Sequence, residues 1–136
     1  GLKCCPTSYS LRHPRKSKRG FLRSWKLMGS NDEKFWVALS IHSDDHALTE
    51  RNQAYTWKVE SKGFFFRYFR VQMTGLSSMD DSVLNCCGLE LQGRVLMPDG
   101  TVEIVDPNQS VEVFERPHLE HGNILGYGSC SPGGPW

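Results

Sequence analysis

The chain has 136 residues, 38% of them hydrophobic and 11% aromatic, with a net charge of +1 at pH 7. That is enough apolar material for one buried core, and nothing in it suggests a second domain. No apolar run approaches the ~20 residues needed to cross a bilayer, and no signal-peptide pattern is seen at the amino end, so a soluble protein is expected.

The near-neutral total hides a division. Residues 1–26 carry Lys3, Arg12, Arg15, Lys16, Lys18, Arg19, Arg23 and Lys26 without an acid. Residues 80–120 carry Asp80, Asp81, Glu90, Asp99, Glu103, Asp106, Glu112, Glu115 and Glu120 against Arg94 and Arg116 alone. Opposed basic and acidic faces are expected.

In chain order, Tyr9-Ser-Leu-Arg-His13 alternates as a strand and ends at Pro14. A polar loop with five cationic or titratable side chains follows: His13, Arg15, Lys16, Lys18 and Arg19. Alternation resumes at Leu22 and runs through Trp25 and Leu27 to Gly29-Ser-Asn-Asp32, whose residues tolerate turn dihedrals. Trp36-Val-Ala-Leu39 is the expected returning strand. Residues 42–54 have no period and read as a long connection. Tyr55-Thr-Trp-Lys-Val59 is a short strand ended by Ser61-Lys-Gly63, and residues 65–74 form the clearest alternating run, which stops at Gly75. Leu89-Glu-Leu-Gln-Gly93 alternates again. Arg94-Val-Leu-Met97, the turn Pro98-Asp-Gly100 and Thr101-Val-Glu-Ile-Val105 complete a further hairpin.

No segment sustains a 3.6-residue period between caps, so the expected class is all-β. Many short strands favour a sandwich or jelly roll, because stacking or closing a sheet hides its edges. The sandwich is expected to occupy residues 1–114, with residues 115–136 an extended or flexible tail.

The five cysteines, Cys4-Cys5, Cys86-Cys87 and Cys130, are odd in number and lack CxxC spacing. They fit reduced, structural thiols in an intracellular chain, so the expected location is cytoplasmic or nuclear. Neighbouring cysteines in a strand point to opposite faces, so one of each pair at most enters a core.

His42, Asp44, Asp45 and His46, and the pair His118 and His121, are metal-ligand types, but spacing within a loop does not bring ligands together, and no metal or cofactor is expected. The chain has no nucleophile elbow, phosphate loop or metalloprotease helix, so no catalysis is expected. Trp25, Trp36 and Trp57 are expected in the core, and Trp136 as an exposed anchor.

The ordered series Tyr9-x-Leu-Arg12, Leu22-Arg-Ser-Trp-x-Leu-x-Gly-Ser-Asn-Asp32, Trp36-x-x-Leu39, His42-x-x-Asp45-x-x-Leu48, Trp57, Phe69-Arg-Val-x-Met-Thr-Gly75 and Glu90-Leu-x-Gly93 resembles discoidin-type domains. These are galactose-binding-like jelly rolls, also called coagulation factor type C modules. The likeness spans about residues 9–93 and is nearest to the intracellular branch found with BTB domains and HECT-type ubiquitin ligases.

The strands that usually open such a domain are nearly absent, so the sandwich is either incomplete or closed by residues 94–136. Residues 101–105 and 111–114 are the candidates for that closure. In the resemblance His42, Asp45 and Leu48 belong to a structural connection, the carboxylate capping backbone amides and the leucine filling the core.

The resemblance implies a non-catalytic protein-interaction module in a ubiquitin-ligase or adaptor setting, within or derived from a larger protein. The alternative it leaves open is a carbohydrate- or phospholipid-binding, lectin-like module. Binding is expected from loops at one end, through Arg12, Arg15, Lys16, Lys18, Arg19, Asn31, Asp32, His42 and Asp45, with an acidic protein segment as partner. Nucleic acid is disfavoured, since Phe21 alone offers a base-stacking surface near the cations.

Overall fold

The computed structural model describes residues 2–105 in full, and the backbone of two later strands, 111–113 and 124–132. The strands are β1 (Lys3–Arg12), β2 (Trp25–Ser30), β3 (Val37–His42), β4 (Ala54–Lys58), β5 (Tyr68–Met73), β6 (Leu89–Leu96), β7 (Val102–Val105), β8 (Val111–Val113) and β9 (Ile124–Pro132). The described residues contain no helix, and every strand pairing is antiparallel.

Two sheets stack as a β-sandwich. The first runs β3-β2-β5-β9 and the second β8-β6-β1-β4, with β7 also on β6. Strand β9 belongs to both: Ile124 to Ser129 pair with β5, and Cys130 to Pro132 pair with β8. Residues 124–132, placed by the sequence in the tail, are therefore extended within the sheets. The strand that contains Tyr9 is flanked by β4 and β6, while β7 and β8 extend the sheet beyond β6.

The core follows from the period-2 rule. Tyr9 and Leu11 of β1, Trp25 and Leu27 of β2, Phe69, Val71 and Met73 of β5, and Leu89 and Leu91 of β6 point inward at every second position. Phe21, Leu22 and Leu48 are buried from the connections. The second strand begins at Trp25 and not at Leu22, because residues 21 and 22 enter the core before any ladder forms.

The first strand begins at Lys3, six residues ahead of the alternating segment, and carries both cysteines of the first pair. Cys4 joins the core, whereas Cys5 lies on the other face beneath Ser61 and Arg94, with Sγ 3.4 Å from Ser61 Oγ and 3.5 Å from Arg94 Nη2. Both are buried, each by a different layer. Trp36 is the clear correction to the expected core. It lies just before β3, half-buried on the outside of the first sheet, with the Arg70 guanidinium 4.2 Å above its ring.

Gly93 marks the junction that lets β6 pass β1. It pairs with Pro6, where the β1 register shifts between Pro6 and Ser8, and its φ of 149° lies outside the range open to L side chains. A Cβ there would meet the Cys5 carbonyl oxygen, Thr7 N at 2.8 Å and Pro6 Cα at 2.9 Å. All three are backbone atoms in a sheet. Gly93→Ala should therefore cost at least about 2 kcal/mol of folding free energy, measured as a lower urea midpoint at unchanged m.

Candidate functional site

At one end of the sandwich lie the connections formed by residues 13–24, 43–53 and 74–88. Asn52 N donates to Pro14 O (3.3 Å), Asp45 N to Arg23 O (2.7 Å), Thr74 N to Ser24 O (3.0 Å) and Ser78 N to Phe21 O (2.9 Å). Residues 31–36 and 59–67 lie at the other end, where Asn31 Nδ2 donates to Phe65 O (3.2 Å) and Arg67 N donates to Asn31 Oδ1 (3.1 Å). The expected binding residues are thus divided. Asn31 and Asp32 sit at one end of β2, and His42, Asp45 and the cations at the other.

Asn31 and Asp32 hold a turn. The Asp32 carboxylate accepts from Phe35 N and Lys34 N, each at 2.9 Å, and from Ser30 Oγ at 3.1 Å. The Phe35 amide first, and then that of Lys34, keep its carboxyl below the ordinary range.

His42 and Asp45 are only 18% and 22% exposed, and they complete a chain of hydrogen bonds between the sheets. Trp25 Nε1 donates to the Tyr9 oxygen (2.9 Å), which contacts Ser40 Oγ (3.2 Å). Ser40 Oγ contacts His42 Nε2 (2.7 Å), and His42 Nδ1 contacts Asp45 Oδ2 (3.0 Å). Trp57 Nε1 donates to the same carboxylate oxygen (3.2 Å), and Ala47 N donates to Oδ1 (2.8 Å).

With the imidazole neutral, one proton order satisfies every contact: Tyr9 donates to Ser40, Ser40 to His42 and His42 to Asp45. Burial pushes the Tyr9 phenol up to about 12, so it remains a donor at physiological pH. Ser40, His42 and Asp45 have the contacts of a nucleophile, base and orienting acid, but the serine hydroxyl faces the fully buried Tyr9 and is held by it. These three side chains link the two sheets. Asp44 pairs instead with His46, Oδ1 to Nε2 at 2.9 Å, and among the described residues no three His, Cys, Asp or Glu side chains converge to hold a metal. His118, His121 and Trp136 lie outside the described residues.

The cations also separate. Arg12 is half-buried, with Nη1 donating to the Asn52 carbonyl and to Asn52 Oδ1 (3.2 Å). His13 is fully buried, its ring 4.1 Å from that of Phe21 and its Nε2 donating to Ser17 O (3.1 Å). Since a carbonyl only accepts, Nε2 carries the proton, and the buried Nδ1 has no hydrogen-bond partner among the described residues. Desolvation, the largest influence, and the nearby Arg23 charge lower the pKa of His13, outweighing the Ser17 bond.

Arg15, Lys16, Lys18 and Arg19 remain exposed. Their loop is fixed from behind, since Asn85 Nδ2 donates to Ser17 Oγ (3.0 Å) and to Arg19 O (3.1 Å). Between the loop and residues 79–85 opens a cleft of ≈ 330 Å³ lined by Ser17, Arg19, Gly20, Met79, Asp81, Val83 and Asn85. Met79, Val83 and nearby Leu76 are 45%, 62% and 55% exposed. Sequence reasoning missed these apolar side chains. The available signal was three apolar residues, 76, 79 and 83, in a Ser- and Asp-rich segment with no strand period to bury them.

Cys4, Cys5, Cys86 and Cys87 are free thiols, and burial pushes that of Cys86 up to about 11, away from reactivity. No helix among the described residues is long and apolar enough to cross a membrane.

Comparison with known proteins places these features in context. The chain is 43% identical over 98 residues to the E3 ubiquitin-protein ligase hecd-1 of Caenorhabditis elegans, and 36% identical over 100 residues to the E3 ubiquitin-protein ligase Ufd4 of Drosophila melanogaster. Each match takes in 71% of this chain and 4% of the ligase. A BTB/POZ domain-containing protein of Arabidopsis thaliana is 35% identical over 79 residues, which is 55% of this chain and 10% of that protein. No family profile and no solved structure matches the chain.

Removing the common acceptor of the inter-sheet chain should be costly. Asp45→Ala leaves the His42, Trp57 and Ala47 donors without it and should lower stability by about 2 kcal/mol, read by urea denaturation. His13 sets a pH dependence. Its folded pKa lies below the unfolded value near 6.5, so the unfolded chain binds the proton first as pH falls. Stability should decline as pH drops through about 6.5 and level off below the folded pKa. A His13→Gln chain should show a flatter melting-temperature profile in that window.

Proposed function

We propose that this chain is a non-catalytic recognition module of a ubiquitin ligase, a discoidin-like jelly roll that docks an acidic segment of a protein partner on the end carrying residues 13–24 and 74–88. The observation that carries the reading is a cleft at which Arg19 meets exposed Met79 and Val83, with Arg15, Lys16 and Lys18 exposed on the same loop outside the lining. Arg15, Lys16, Lys18 and Arg19 supply charge, and Met79 and Val83 supply apolar contact beside them.

Charge steers and orients a partner, while the apolar side chains give a contact that survives salt screening. The loop is held by Asn85, which limits the ordering cost of binding. The small share of each ligase covered by the match fits one module among several, with ligation chemistry elsewhere in such a protein. His42, Asp45, Asn31 and Asp32 support this reading as framework and not as contacts.

A phospholipid surface is the second reading, because exposed Leu76, Met79 and Val83 beside four cations also suit an anionic headgroup layer. One pair of measurements separates the two. A glutamate-rich peptide bearing a single leucine should bind the chain, and the variant Arg15→Glu, Lys16→Glu, Lys18→Glu, Arg19→Glu should bind it at least tenfold more weakly at 50 mM salt by calorimetry. Unchanged peptide affinity in the variant would sink the docking site. Cosedimentation with phosphatidylserine vesicles in the absence of peptide binding would favour the lipid reading.

A further inference from the structure

The cleft beside the basic loop is lined by groups of opposite charge. The loop contributes Arg19, with Arg15, Lys16 and Lys18 exposed nearby in sequence, and the facing segment contributes exposed Asp81, which follows exposed Asp80. Arg19 and Asp81 share the cleft without pairing, and among the described residues neither side chain enters a salt bridge. An acid in a site that receives an acidic partner is a discrepancy with a physical consequence.

The carboxylate is held in place. Ser77 Oγ and Val83 N donate to Asp81 Oδ1 at 2.8 and 3.2 Å, and Ser77 N donates to the Asp81 carbonyl at 2.8 Å. Ser77 is itself buried, and its Oγ also accepts from Met79 N at 3.1 Å. Asp81 Oδ2 accepts no hydrogen bond from a described residue, so the group is fixed through one oxygen and open at the other. The two segments are joined behind the cleft, where Phe21 N donates to Ser78 Oγ (2.8 Å) and Ser78 N to Phe21 O (2.9 Å). Met79 and Val83 stand two residues to either side of Asp81 in sequence and line the cleft with it. A side chain packed on them therefore strips water from the carboxylate between them, and a carboxylate that loses water without gaining a partner is penalised. A partner with acids alone would add repulsion to that penalty.

We propose that Asp81 is the specificity-determining residue of this cleft, and that the partner carries a lysine or arginine beside the apolar residue that packs on Met79 and Val83. The inference rests on the docking reading above and narrows it. The partner is mixed in charge, with carboxylates toward the loop of Arg15 to Arg19, an apolar side chain in the cleft, and a cation on Asp81. Because Asp81 is already fixed, little ordering cost offsets the pairing.

The test uses the 136-residue chain and the capped peptide acetyl-Glu-Glu-Glu-Leu-Ser-Lys-amide, with two further peptides in which glutamine or glutamate replaces the lysine, all measured by calorimetry at 50 mM salt. Attraction to the loop cations alone ranks the glutamate peptide first, because it is the most acidic. Asp81 should reverse that order, the lysine peptide binding at least about fivefold more tightly than the glutamate peptide, with the glutamine peptide between them. Asp81→Asn, which keeps an Oδ1 acceptor for Ser77 and Val83, should restore the ranking by acidity. Arg15→Glu with Lys16→Glu should weaken all three peptides and keep the lysine peptide first. Equal binding of the three, or the glutamate peptide first on the unaltered chain, would overturn this inference and leave the docking reading standing. A lysine preference that persists in Asp81→Asn would also overturn it, since the cation would then be read elsewhere. Binding by none of the three peptides would sink the docking reading and this inference with it.

Discussion

The two sheets are held in register at their open side by one hydrogen-bond chain, from Trp25 through Tyr9, Ser40 and His42 to Asp45 and Trp57. Its members come from β2, β1, β3, the connection after β3, and β4, so it ties the two outermost strands, β3 and β4, across the sandwich. Apolar packing alone would allow the sheets to slide, because hydrophobic contact has no direction. A buried polar chain in which each donor has one acceptor does not. The aromatic rings around it add shape: the His42 ring stacks on Trp25 at 4.4 Å, and Trp57 meets Tyr9 at 5.4 Å. Each such aromatic buries roughly 150–250 Å², which supplies the driving force that the polar chain then orients.

That constraint explains why a serine, histidine and aspartate in contact serve structure here. A nucleophilic serine must be presented to a substrate with its hydroxyl free to be deprotonated. Ser40 Oγ instead lies between the Tyr9 phenol at 3.2 Å and His42 Nε2 at 2.7 Å. Both of those neighbours belong to the fold. The same logic divides the polar residues described in the structure. Those with several internal partners, such as Asp32, Asp45 and Arg12, maintain turns and connections, whereas Arg15, Lys16, Lys18 and Arg19 are exposed to water.

Much of the sandwich was legible in the sequence because inward and outward positions alternate with an invariant period. Strands β4 to β7 lie where alternation placed them, and the core pairs Tyr9 with Leu11 and Trp25 with Leu27 follow the same rule. Two kinds of feature were not legible. The bulge at Leu39 sets Leu27 opposite Ser40 but Met28 opposite Ala38, which turns Ser40 toward Tyr9 without any glycine or proline to signal it. Trp36 misled because an aromatic beside a strand reads as core, and only the neighbouring strand shows that Arg70 covers it from outside. Among candidate site residues, chemistry in sequence identified cations but not their exposure. His13 and Arg19 look alike in a basic run, yet one is sealed against Phe21 and the other lines an open cleft.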